Sequence, residues 1–262
     1  MNVATANIKD AKFPRPADMS PDEWQARVQL AACYRLFDHF GWYELIFNHI
    51  TLRVPGPEKH FLINPFGLLY SEVKASNLVK IDIDGNIIGK SNWPINPAGY
   101  TIHSAIHDAV EQAHCVMHTH TTTGLAVACK RDGLSNTNFY SAQLHNQVAY
   151  HDFEGITVVP DEKERMLASM GDKRAMILRN HGLLVWGETM AEAFVRMWTL
   201  QRACDIQVLS ESMAGDSIPV SEAASIQATA ASQTFTPGES CHEMVFAAMQ
   251  RMIDARDPSY RS

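Results

Sequence analysis

The chain has 262 residues, 46% of them hydrophobic and 19% charged, a balance that fits one compact domain with a sizeable core and excludes a largely disordered protein. Its formal net charge of -7, with no block of Lys and Arg, excludes nucleic acid and an anionic membrane surface as partners and leaves a small-molecule substrate. No stretch reaches the roughly twenty apolar residues that span a bilayer, and no basic segment leads into an apolar one at the start, so a cytoplasmic location is expected.

Residues 1–19, with Pro14 and Pro16, read as a flexible arm. Ser20-Pro21-Asp22-Glu23 combines a helix cap, a proline suited to the first turn and a capping-box glutamate, and predicts a helix that runs to Phe40 and stops at Gly41. Strands are expected over Ile46–Val54, His60–Asn64 and Leu78–Ile83, with a hairpin turn at Asp84-Gly85. A helix over Thr101–Gln112, a strand over Cys115–His120 and a helix over Thr121–Lys130 follow. Further strands are predicted at Gln147–Tyr150, Ile156–Val159, Ala175–Arg179 and Leu183–Trp186, and a helix opens at Pro160-Asp161-Glu162 and closes at Gly171. Thr189–Met213 is the longest amphipathic segment.

Residues 214–239 read as a loose connector to a last helix from about Glu239 to Arg256, so that 20–213 form the main domain and 214–262 pack on it. The end at Tyr260 and Arg261 is expected to be disordered, the alternative being closure over a neighbouring subunit's pocket. Short strands interspersed with helices imply an α/β fold, a three-layer α/β/α sandwich with a largely antiparallel central sheet. Five scattered cysteines, with no Cys-x-x-Cys, indicate neither a disulfide framework nor a thiolate metal site.

The chemistry concentrates in two places. Cys115-Val116-Met117-His118-Thr119-His120 is an apolar strand ending in two imidazoles on one side, because strand side chains alternate with a period of two. Arg179-Asn180-His181-Gly182 adds a third at a glycine-marked strand end. Three imidazoles with an open fourth position suit a catalytic divalent metal, whereas a structural site uses four ligands, often cysteines. His103 and His107 lie one helical turn apart, and His103 is read as a support for a metal ligand or as a packed, hydrogen-bonded residue. His145 and His151 flank a predicted strand, and Asn96 before Pro97 is a candidate polar substrate contact.

Asn48-His49-Ile50-Thr51, Ile63 to Tyr70, His118-Thr119-His120 and Arg179-Asn180-His181-Gly182 together resemble the class II aldolase and adducin head-domain superfamily over roughly residues 20–256, and the wording around Phe66–Glu72, Asn96–Ile106 and Tyr150–Gly155 is most similar to its adducin-like branch. The resemblance implies the three-layer fold, a homotetramer with active sites between subunits, and a metal held by His118, His120 and His181, with zinc expected and manganese or iron as alternatives. It further implies that Asn48 and Gly67 lie near the polar end of a substrate and that Tyr140 donates a proton. His151 is a second candidate proton donor.

Two departures qualify the resemblance. The aldolases' acid/base glutamate, at the start of the helix before the metal strand, corresponds to Gly99, and the phosphate-binding serines before it correspond to Pro97 and Ala98. The expected activity is therefore that of a metal-dependent lyase, of aldolase or decarboxylase type, on a small non-phosphorylated hydroxy-carbonyl or carboxylate compound. A non-haem iron oxygenase and a non-catalytic adducin-like binding module are the alternatives.

Overall fold

The computed structural model describes residues 13–155, 162–234 and 240–262. Helix α1 (Pro21–Phe40) begins where Ser20 Oγ accepts the Glu23 backbone N–H at 3.1 Å and ends at Gly41, whose φ of 71° few other residues adopt without strain. Its inner face carries Leu30, Tyr34 and Phe37 into the core.

The sheet has seven strands: β1 (His49–Arg53), β2 (Phe61–Ile63), β3 (Val79–Ile81), β4 (Cys115–Thr119), β5 (Val148–His151), β6 (Ala175–Leu178) and β7 (Gly182–Gly187). They lie in the order β3-β2-β1-β4-β7-β6-β5, and every pairing is antiparallel except that of β5 with β6. Alternation sorts the central strands between two cores. Ile50, Cys115, Met117, Leu183 and Val185 face the cluster built on α1 and α6 (Met190–Glu211), while Val116, Leu184 and Trp186 face the cluster that includes Ile102 and Ile106 of α2 (Pro97–Ala109) and Met166 of α5 (Glu162–Met170). Helices on both sides of a mostly antiparallel sheet form the expected three layers.

The remaining helices are α3 (Thr122–Ala128), the short α4 (Phe139–Gln143), α7 (Glu222–Thr234) and α8 (Cys241–Arg256). The predicted strand at 156–159 and the residues Pro160 and Asp161 lie outside the described residues. Two expectations need correction. Residues 214–239 do not form a connector throughout, because Ser221 Oγ caps an alanine-rich segment by accepting the Ala224 N–H at 3.3 Å, and α7 forms. The C-terminus is ordered as well: Tyr260 is fully buried, its hydroxyl donates to Asp254 Oδ1 at 2.8 Å, and its carbonyl accepts the Ala75 N–H at 2.8 Å.

Candidate metal centre and active site

The centre forms where β4 leaves the sheet beside the β6–β7 turn. His118 is the fourth residue of β4, paired with Leu184 of β7 on one side and His49 of β1 on the other. His120 follows just past the strand, before Thr121 caps α3 by accepting the Gly124 N–H. His181 sits in the turn that joins β6 to β7, where Asn180 takes a φ of 56°, a left-handed conformation that asparagine tolerates better than most residues. Gly182 is required because an added Cβ would strike the Thr119 carbonyl oxygen of the neighbouring strand.

Ligand nitrogens of His118, His120 and His181 all lie within 4.8 Å of one another. The His118 ring centroid is 4.5 Å from that of His120 and 4.8 Å from that of His181. His118 Nδ1 donates to the Leu183 carbonyl at 2.9 Å, which leaves Nε2 as the ligand atom. That Nε2 lies 2.7 Å from His120 Nε2, a contact that needs a proton between the two nitrogens unless a cation takes its place. Burial pushes His118 well below the usual imidazole range, with the charges of His120 and His181 acting in the same sense. Burial also lowers His120 against the opposing pull of the Glu44 carboxylate, and burial, then His120, lowers His181 to about 4. Neutral, converging and pre-oriented imidazoles are what a divalent metal needs, so the donor set fits one.

Behind the three lies a second, wholly buried polar group absent from the sequence reading as a unit. His49 Nδ1 is 2.9 Å from His103 Nε2; His103 Nδ1 is 2.7 Å from Thr51 Oγ1; and Thr51 Oγ1 is 2.7 Å from His107 Nε2. His107 Nδ1 donates to the Ala113 carbonyl at 2.6 Å. Burial, with neighbouring imidazoles, holds His49 and His103 well below their ordinary values, and burial lowers His107 to about 3. The signal was present: His49 and Thr51 are two apart on a strand, and His103 and His107 four apart on a helix, so each pair shares one face.

The other sequence candidates divide. Asn48 is 1% exposed, its Nδ2 donates to the Trp42 carbonyl, and its buried Oδ1 has no hydrogen-bond partner among the described residues. Asn96 precedes α2 and its Nδ2 donates to the Phe47 carbonyl at 3.1 Å, tying the helix start to the loop before β1. Gly67, at a φ of 112°, is exposed in the turn after β2, against the Trp93 ring. His151 is buried and lines a narrow cleft with Phe153, Glu162, Arg179 and His181; its Nδ1 bonds Ser169 Oγ at 3.0 Å, and its Nε2, with no hydrogen-bond partner among the described residues, has the Glu162 and Glu154 carboxylates 3.8 and 3.9 Å away. Tyr140 sits on α4, which packs on α6 and α7, and no hydrogen bond or ring contact joins it to the three histidines within the chain. A cavity of about 460 Å³, lined by Gln143, Arg174, Glu192, Arg196 and His242 among others, shares no residue with the centre.

The profile described as Class II Aldolase and Adducin N-terminal domain matches residues 28–208. The chain belongs to the class II aldolase and adducin family. A Pseudomonas aeruginosa member provisionally named a class 2 aldolase protein is 43% identical over 251 residues, covering 94% of this chain and 95% of that one. Rat α-adducin is also 43% identical, over 87% of this chain, but this chain spans only 33% of that protein. Among solved structures, an aldolase II superfamily protein from Pseudomonas syringae is 41% identical with a TM-score of 0.87, covering 93% of this chain and 98% of its own. An L-fuculose 1-phosphate aldolase from Glaciozyma antarctica is 27% identical with a TM-score of 0.81, covering 96% of this chain and 99% of its own.

Proposed function

We propose that this protein is a metal-dependent carbon–carbon lyase acting on a small, non-phosphorylated hydroxy-carbonyl or carboxylate compound. The observation that carries the reading is the convergence of His118, His120 and His181 on one point, with His118 Nδ1 committed to a backbone carbonyl and all three imidazoles kept neutral by burial. Such a site would hold a divalent ion, zinc first and manganese or iron as alternatives; bound there, it would supply Lewis-acid polarisation of a substrate carbonyl or carboxylate. Family membership and the likeness to an L-fuculose 1-phosphate aldolase support lyase chemistry, while Pro97, Ala98 and Gly99 at the start of α2 offer no side-chain hydroxyl or carboxylate to a phosphate or a proton.

The chain's own groups account for substrate placement. Asn48, with its buried unpartnered Oδ1, and Asn96 and Gly67 around the loop before α2 would meet the polar end of the substrate, and His151, through Nε2, would exchange a proton beside His181. The cleft lined by His151 and His181 has room for about 10 Å³, on the scale of one water molecule. Exposed Tyr43, Leu45, Phe47 and Phe153 are apolar groups available for contact with another copy. The family resemblance is the support for a homotetramer in which the active site would be completed between subunits and Tyr140 delivered to it from a neighbour, and these exposed groups are compatible with such contacts.

A second reading, a non-catalytic binding module, is favoured by the 43% identity to α-adducin. Metal content separates the two. Mass spectrometry of protein purified anaerobically without a metal-binding tag should find close to one zinc or manganese per chain, and His118→Ala should lose most of it. Iron instead would move the reading to oxygenase chemistry; no metal even after reconstitution would leave the binding module.

A further inference from the structure

The buried row behind the centre has a direction, and its direction can be worked out from the end. The Ala113 carbonyl can only accept, so His107 carries its hydrogen on Nδ1, and as a neutral imidazole it has a bare Nε2. Thr51 must then donate its single hydroxyl hydrogen to His107 Nε2, and its oxygen must accept from His103 Nδ1. His103 is left with a bare Nε2, which accepts from His49 Nδ1. Four buried groups in sequence thus leave His49 one tautomer, with its lone pair on Nε2.

The His49 ring stands beside the metal centre. His49 and His118 are cross-strand partners whose ring centroids lie 5.1 Å apart, and the His49 imidazole is close enough to feel the charges of His120 and His181. The ring occupies the space beside Gly99, where an added Cβ would be 2.5 Å from Cδ2 and 3.0 Å from Nε2. Any side chain at Gly99 would displace it. Among the described residues Nε2 has no hydrogen-bond partner, and no nitrogen of His49 joins the group of three candidate ligands.

We propose that His49 is a hydrogen-bond acceptor of this site, presenting Nε2 to a hydroxyl group of the substrate, with Thr51, His103 and His107 as positioning residues that fix its tautomer. The proposal rests on the reading of the site as that of a lyase and narrows its substrates to compounds that offer a hydroxyl next to the metal-binding group.

Neutron diffraction from deuterium-exchanged, zinc-loaded crystals reads the tautomers directly. Deuterium should lie on Nδ1 of His49, His103 and His107, with none on His49 Nε2; deuterium on that Nε2 overturns the proposal. Calorimetry with glycolate and acetate on the zinc-loaded protein provides the second measurement, because the two differ by one hydroxyl. His49→Leu should reduce the glycolate-over-acetate preference about tenfold with zinc content unchanged, the scale of one lost hydrogen bond. Thr51→Val, which keeps the shape of the packed side chain, should shift the ratio in the same direction. A role confined to packing would leave the ratio as in the parent protein, and an unchanged ratio in both variants overturns the proposal. Failure to bind zinc would remove the lyase reading, while a neutron map from metal-free, deuterium-exchanged crystals would still decide the tautomer of His49.

Discussion

At the scale of single residues, the centre depends on matched pairs rather than on individually favourable side chains. Gly99 and His49 are the clearest pair, because the absence of one Cβ is what admits the other's ring. Gly99→Ala should destabilise the parent protein by about 1–3 kcal/mol through overpacking. In a His49→Ala background the same change should cost less than about 0.5 kcal/mol, since the space is then open. Denaturant titration of the four proteins of this cycle measures the coupling, and additive effects would show that the ring and the glycine do not compete for that space. The three candidate ligands were legible because each lies in a contiguous motif whose spacing states its geometry. His49 and Thr51 escaped because their partners His103 and His107 are some fifty residues away, and only the packing of α2 across β1 brings the pairs together.

At the scale of elements, local signals set what the sequence could show. The bounds of α1 were readable because cap, proline and terminal glycine are all local, and β4 because its apolar run ends in histidines. Short α4 and alanine-rich α7 have weak amphipathic patterns, and their positions depend on packing against each other and, for α4, on α6. The C-terminal turn, Pro258–Arg261, went unread for the same reason. Its order comes from side-chain and long-range contacts: Asp254 on α8 binds both the Tyr260 hydroxyl and Arg261, and the backbone N–H groups of Ala75 and Ser76, far away in sequence, donate to the carbonyls of Tyr260 and Ser262. Tyr260 is fully buried, so Tyr260→Ala should cost about 3–5 kcal/mol, the range for removing a large buried aromatic side chain. A loss below about 1 kcal/mol in thermal or chemical unfolding would show that the turn is not part of the cooperative core.

At the scale of the whole molecule, the sheet, the β6–β7 turn and the facing helix α2 together hold a cluster of neutral imidazoles. His49, His103 and His118 are pushed well below the usual histidine range by burial, His181 to about 4 and His107 to about 3. An unfolded chain protonates these groups near their ordinary value of about 6.5, whereas the folded chain does so only at lower pH. Between those limits the unfolded state binds more protons, so stability must fall as pH drops from about 6.5 toward 4. The expected loss between pH 7.5 and pH 5 is larger than a single surface histidine could cause, because these groups all act in the same direction. A bound divalent ion acts on the same balance from the other side: it stabilises the folded form by mass action, and its ligands must be neutral to hold it. Zinc should therefore raise the unfolding midpoint most near neutral pH and progressively less toward pH 4, where His181 begins to protonate. Unfolding midpoints measured with zinc and with chelator across this range should converge at the acid end. A zinc increment that stayed constant down to pH 4 would mean that the ion is held by groups other than these three histidines.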